Sequence, residues 1–514
     1  MDNNNIQLAL NEANQYSFKD LSLMIGCIYH WNGYGARRAP PHLLLPELAD
    51  VCPIDSGKTP SLEEALSVIN MFNDAYNKFR YEKLTPHIFS NQKEEDVQEL
   101  NISRIPSESI VNPDSEVRMM EYLLEKYQPV DNILIEKYGF RTRDLLRTIR
   151  YIRILMAAGL SGYDDPELPI FKMKRGASDH YKLEWETPPD DFYIKWKNSC
   201  SFDLENEYSF LRKETKNVLR FLSTGQLSYS VKDYAFRRWA FLSEGNNTSV
   251  LLDPPNLVNT LLTAVHIGLL NIMNPKEMGS YFRVIGKQFE KMVADSFRKF
   301  YPSAAINPNK KYQGQVGDTD IEVILDQDFT ILAQCKSNQP VQKNVRKDER
   351  IFTEFYTKSV LKAAQQAKES LECHPNAKSV KSVFIIIDSY LPGLFVLQGR
   401  SGDTYRALNE LPSAIILNYF DFKYLLYRIP HQDLPRYLDW RNTVASLKIP
   451  IYNDEYDLIR FYLKTVEEGV YEQMIDFFRM SDTIGLPPMI NFIGYDEEWE
   501  EEGFASLDFK LGIN

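Results

Sequence analysis

Through most of the first 160 residues apolar side chains recur every three to four positions, as over 62–81 and 116–126, a spacing that predicts amphipathic helices. Loop chemistry then breaks the pattern at Gly162-Tyr163-Asp164-Asp165-Pro166 and Thr187-Pro188-Pro189-Asp190-Asp191. A second helical stretch, about 205–273, is interrupted by Gly245-Asn246-Asn247 and Asp253-Pro254-Pro255. Its most apolar run, 257–273, is too short and too polar to span a bilayer. It reads as a buried helix with His266 as a core histidine. After Asn274-Pro275 the period alternates between helix and strand. The spacing predicts a helix over 281–300, short strands over 321–325 and 329–334, and a helix over 348–372. An apolar strand follows at 383–387, then a hairpin partner at 394–398 beyond Pro392-Gly393, a buried strand at 414–419, and a helix ending near Arg428. One more helix, 455–468, precedes the acidic tail Asp496-Glu497-Glu498-Trp499-Glu500-Glu501-Glu502. The expected class is multidomain α+β: a large all-α N-terminal region, then an α/β domain with a central mixed sheet flanked by helices. The expected divisions are 1–165, 190–280, 281–441 and 442–514, and no internal repeat is evident.

Composition changes this picture in three ways. With 44% hydrophobic and 25% charged residues, the chain is ordinary globular protein. A net charge of −12 argues against a general basic coat for nucleic acid, so DNA binding would need a local positive groove. Cys27, Cys52, Cys200, Cys335 and Cys373 are odd in number and widely spaced, which speaks against a disulfide framework or a zinc knuckle. The N-terminus lacks the basic start and apolar run of a signal peptide, and a cytoplasmic, non-membrane protein is expected.

Candidate chemistry gathers in the α/β segment. On the 281–300 helix, Phe282, Ile285, Phe289, Met292, Val293, Ser296, Phe297 and Phe300 form one stripe, with Lys287, Lys291 and Arg298 opposite. Glu290 lies at the stripe's edge, where a carboxylate is costly without a partner. Gly317-Asp318-Thr319-Asp320 opens the next strand, whose period of two places Asp320 and Glu322 on one face. In the strand ending Gln334-Cys335-Lys336, Gln334 and Lys336 share a face and Cys335 points away. Asp320, Gln334 and the Cys335 carbonyl can offer oxygens to Mg²⁺, and Lys336 can orient or deprotonate an attacking water.

These residues, in this order, resemble the PD-(D/E)xK restriction-endonuclease-like superfamily, in its Mrr-type and NERD-like branch with a QxK motif. The resemblance covers about 281–390. It implies Glu290 as the helix acid, Asp320 as the metal-binding acid, Gln334 as second ligand and Lys336 as catalytic lysine, with Mg²⁺ as cofactor and Mn²⁺ as its substitute. Another Gln on the following helix, Gln365 or Gln366, would stand near the site. Glu322 competes with Asp320 for the metal role, and Gln in place of an acid removes one charge from the site.

A basic rim accompanies the motif. Lys310 and Lys311 precede it, and Lys343, Arg346, Lys347 and Arg350 follow, so that 336–362 holds seven basic against three acidic residues. Such a rim would grip phosphates without reading sequence. Arg143, Arg147 and Arg150 form a distal basic face, for nucleic acid, for an acidic partner or for salt bridges. Gly57-Lys58-Thr59 lacks the earlier glycine of a phosphate loop, and Ser61 with Glu64 reads as a capping box. The expectation is a Mg²⁺-dependent DNA endonuclease of restriction or anti-phage type, or one acting on junctions or in transposition. Its helical region would sense, select targets, bind a partner protein or form a homo-oligomer. The alternative is a non-catalytic scaffold that keeps the fold and binds nucleic acid or protein.

Overall fold

The computed structural model describes residues 3–32, 41–53, 56–74, 116–160, 186–224, 241–244, 248–252, 257–337, 349–388, 407–446, 455–469, 473, 476 and 496–512. The chain forms two compact units. The first comprises 1–90, 110–279 and 494–514; the second comprises 91–109 and 280–493.

The first unit is mostly helical, but it is not all-α. A four-stranded sheet in the order β1-β4-β3-β2 is built from β1 (Ser201–Asp203), β2 (Ser223–Thr224), β3 (Phe241–Glu244) and β4 (Thr248–Leu251). These strands hold two to four residues each, too few for a period of two to register in the sequence. The helix Leu257–Leu270 is buried as expected, and His266 lies inside it at 4% exposure. Trp196 of the helix Asp190–Ser199 donates its Nε1–H to the Leu23 carbonyl at 3.1 Å, so the segments before and after residue 165 share one core. The capping box is present: Ser61 N donates to Glu64 Oε2 at 2.7 Å and Glu64 N to Ser61 Oγ at 3.2 Å. Gly57 packs directly on the Tyr16–Ser17 backbone, where a Cβ would come within 2.3 Å. That close approach accounts for the glycine without a phosphate.

The acidic C-terminus is a folded element. The helix Glu497–Leu511 buries Trp499, Leu507 and Leu511 within the first unit. The expected division at 441 falls inside the helix Leu434–Ser446, which pairs with the helix Glu455–Glu467 through Arg441 and Glu455, at 2.6 Å for Nε–Oε1. Residues 442–493 therefore belong with the second unit and 494–514 with the first.

The second unit holds a five-stranded mixed sheet in sequential order: β5 (Ala305–Lys310), β6 (Thr319–Asp326), β7 (Phe329–Lys336), β8 (Val380–Ile387) and β9 (Ala414–Asn418). The β5–β6 and β6–β7 pairs are antiparallel; β7–β8 and β8–β9 are parallel. Parallel strands need cover on both faces, which is why β8 is apolar almost throughout. On one face, Val360, Ala363, Ala364 and Ala367 of the helix Glu349–Cys373 pack on Leu332, Val383, Ile385 and Ile416. The alanines let that helix lie close to the sheet. On the other face, Phe297 of the helix Pro275–Phe300 stacks on Phe384 and meets Phe422 of the helix Tyr419–Arg428, with centroids 6.4 and 5.0 Å apart. Strand β5 escapes a pattern reading because it is an edge strand of sequence AINPNK, with Pro308 tolerated where no second neighbour needs its N–H. The hairpin partner expected at 394–398 lies outside the described residues. Among the described residues no helix is long and apolar enough to cross a membrane.

Candidate active site

The motif residues meet where β6 begins and β7 ends. The last β6–β7 pair is Ile321 with Ala333. Beyond it the Cys335 N–H donates to Asp320 Oδ2 at 2.6 Å, which fixes the carboxylate against the end of β7. Lys336 is only 11% exposed, with its Nζ 3.9 Å from Asp320 Oδ2. The amine donates to Gln366 Oε1 at 2.6 Å and to the Cys335 carbonyl at 3.3 Å. Of the two candidate glutamines, Gln366 is the one that reaches the lysine, and Gln365 is exposed.

Gln334 is fully buried, and among the described residues neither its Oε1 nor its Nε2 has a hydrogen-bond partner. A buried amide with both ends unmet costs about 1–3 kcal/mol per group. It is retained two residues from the lysine on the same strand face, the position expected of a ligand oxygen.

Glu290 is half-buried on the helix Pro275–Phe300, and its carboxyl is pushed up to about 7. Burial is the main cause, followed by the negative charges of Asp320 and Asp318, partly offset by Lys336 and Lys287. Asp320 is also raised, by burial first, against the pull of Lys336. Two carboxyls held above their ordinary range, one within electrostatic reach of the other, are what a cation would relieve. Among the described residues no three of His, Cys, Asp and Glu converge closely enough to hold a metal by themselves. Mg²⁺ suits such a set, because it binds through one or two carboxylates and keeps several waters. Asp320, Glu290, the Gln334 amide and the Cys335 carbonyl thus fit it.

Glu322 is engaged by three side chains away from Lys336. Tyr312 OH donates to its Oε1 at 2.6 Å, Asn307 Nδ2 to its Oε2 at 2.8 Å, and His374 Nε2 lies 3.1 Å away. Burial pushes this carboxyl up, but those three partners outweigh it and the net shift is down.

The chain matches no protein-family model, no curated protein and no solved structure. The site is therefore read on its own geometry.

Outside that centre the expected residues scatter. Lys310 and Lys311 are exposed at the end of β5. Lys343, Arg346 and Lys347 lie outside the described residues, and Arg350 is placed in its helix by backbone only. The distal basic face has an occupant from the same unit. Arg143 and Arg147 each donate Nε–H to the Leu511 carbonyl, at 3.0 and 2.8 Å, and Arg150 pairs with Asp508. Only Arg150 makes a salt bridge, the third of the expected uses; Arg143 and Arg147 cap the end of the C-terminal helix through a backbone carbonyl. Two residues went unnoticed in the sequence. Asp388 closes β8 fully buried, accepts from Ser337 Oγ at 2.5 Å, and has its carboxyl pushed well up by burial. An acid directly after an unbroken apolar strand was the available signal. Glu369, one turn beyond Gln366, binds the backbone before Asp320 and has no signature in one dimension.

Proposed function

We propose that this chain is a metal-dependent phosphodiesterase, a DNA endonuclease whose catalytic centre comprises Glu290, Asp320, Gln334 and Lys336. The observation that carries the reading is the Lys336 amine, held between Asp320 and Gln366 beside a buried Gln334 with no partner. A structural lysine gains nothing from a buried amide left unmet next to it. The sequence of helix, antiparallel strands, helix and parallel strand supports the restriction-endonuclease-like reading at the level of fold analogy.

Bound Mg²⁺ would supply stabilisation of the charge that grows on the phosphate. Asp320, anchored by the Cys335 N–H through one carboxylate oxygen, keeps its other oxygen for the ion. Gln366 restricts the Lys336 amine to one orientation, so that its N–H donors face the attacking water or a phosphate oxygen. Lys310 and Lys311 would hold neighbouring phosphates. The five cysteines, none of them in a disulfide, suit a reducing, cytoplasmic setting. By analogy alone, a restriction or anti-phage role fits, with the first unit sensing a target, a partner protein or another copy.

Incubation with supercoiled plasmid and Mg²⁺ or Mn²⁺ tests the reading. Wild type should nick or linearise the plasmid, while Asp320→Ala and Lys336→Ala should each lose at least about a hundredfold in rate. Variants that cut as fast as wild type would remove the site assignment. Intact folding with no Mg²⁺ or Mn²⁺ binding would favour the scaffold.

A further inference from the structure

The loop between β5 and β6 is built to hold one apolar side chain out in water. Tyr312 anchors its start: the ring packs on His374 with centroids 4.8 Å apart, and the hydroxyl donates to Glu322. Gly314 takes φ +85°, a left-handed turn that favours glycine. Gln315 is buried, accepting from Tyr312 N at 3.1 Å and donating to Ser370 Oγ at 2.8 Å. The backbone N–H groups of Val316 and Gly317 both donate to the Glu369 carboxylate, the latter at 3.2 Å. Between these anchors the Val316 side chain stands 88% exposed, the most exposed large apolar side chain among the described residues. A lone surface valine usually needs no explanation. Here three polar anchors converge to fix it, and folding gains no burial in return.

Its position gives it a use. Glu369, which holds the loop, and Gln366, which holds Lys336, are three residues apart on one helix face, about 4.5 Å along the axis. The rigid tip is thus tied to the same helix turn as the candidate catalytic lysine. Exposed Lys310 and Lys311 enter the loop and exposed Asp318 leaves it, with the Asp318 charge felt at Glu290. Lys310 pairs with Thr319 across the β5–β6 ladder, so phosphate-binding charge and the acids that open β6 stand together at the base of the loop.

We propose that Val316 is a wedge that enters the base stack of double-stranded DNA beside the phosphate being cut, a proposal that rests on the nuclease reading above. Apolar side chains inserted at a base step unstack it and kink the duplex, and Lys310 and Lys311 would hold the backbone while this happens. A platform for single strands would call for an aromatic ring on which a base could lie. A short branched aliphatic on a stiff loop fits between base pairs instead. Unstacking would loosen the backbone next to Asp320 and Lys336 and let the phosphate approach them.

The test uses the full chain with Val316→Ser, an exposed change whose melting curve should overlay that of wild type. In the Lys336→Ala background, binding to a duplex with 2-aminopurine at every third position should raise fluorescence several-fold. Adding Val316→Ser should return it to the level of the unbound duplex. In the active background Val316→Ser should cut matched duplex about tenfold more slowly and regain most of the rate on duplex with tandem mismatches, where unstacking is already cheap. A wild type that cuts while Val316→Ser keeps full rate and full fluorescence overturns the wedge alone. A wild type that cuts no nucleic acid overturns the nuclease reading and the wedge with it.

Discussion

Glu290 is where residue-level chemistry is most exposed to measurement. Its carboxyl, ordinarily near 4.5, stays protonated up to about 7, because burial and two neighbouring carboxylates oppose its charge. Between those values the folded state binds the proton that the unfolded state has released, so stability without metal falls as pH rises through that window. Above about 7 the cost is fully present. Glu290→Gln removes it, and denaturant unfolding at pH 8 in chelator should show the variant more stable by about 1 kcal/mol after allowance for solvent screening, with no difference at pH 4. Mg²⁺ favours the ionised carboxylate. The wild-type cleavage rate should therefore rise with pH up to about 7 and flatten above it. A profile flat from pH 5 to 8 would detach Glu290 from the reaction. The same reasoning separates the two acids of β6, because Glu322 already has three partners and Asp320 leans on a lysine.

At the scale of elements, the helix Glu349–Cys373 organises the site. Its apolar side packs through alanines on β7 and β8; its polar residues Gln366, Glu369 and Ser370 hold, in turn, the lysine, the loop before β6 and Gln315, and His374 just past its end holds Glu322. The helix pair Leu434–Ser446 and Glu455–Glu467 shows another kind of dependence. Arg441 and Glu455 are each about 1% exposed and meet in a two-pronged ion pair, at 2.6 and 2.8 Å, with Tyr437 OH donating to the same carboxylate. Removing one partner leaves a buried charge without its counter-ion. Glu455→Ala should cost about 3–5 kcal/mol, whereas Arg441→Met combined with Glu455→Leu should recover most of it. Chemical denaturation followed by near-ultraviolet circular dichroism measures both, and equal losses would show that the pair contributes packing alone.

At the scale of the whole molecule, the chain leaves its first unit for the last time after residue 279 and returns to it at 494. The returning helix is held by mixed chemistry. The Arg118 guanidinium lies 3.6 Å from the Trp499 ring centroid, donates to the Trp499 carbonyl and pairs with Glu121 at 2.8 Å. Lys510 reaches Glu121 and Glu125 at 3.2 and 2.6 Å. An acidic stretch that reads as a solvated tail is thus an integral part of the first unit. Trp499→Ala should lower that unit's stability by about 3–5 kcal/mol, from the lost ring volume and the lost cation–π contact. Calorimetry that finds the melting profile unchanged would make the helix an ornament. The net charge of −12 is an average over the chain, and exposed Lys310 and Lys311 place positive charge locally beside the strand that carries Asp320.

What the sequence determined by itself was local: the helix bearing Glu290, the strands bearing Asp320 and Lys336, the capping box, and the apolar run 383–387 of β8. Each rests on a period or a spacing within about twenty residues, which the backbone geometry of helix and strand makes legible. The edge strand β5 and the four short strands of the first unit were not legible, because a few pairing residues with one neighbour leave no pattern. Tertiary structure alone decided which glutamine holds Lys336, that Glu322 is spoken for, that Arg143, Arg147 and Arg150 face a helix some 360 residues away, and that Gln334 is buried without a partner. Those facts depend on which side chains meet across long loops and on how much water remains around them. Neither distance nor desolvation is written in one dimension, and together they turn a set of plausible ligands into a site.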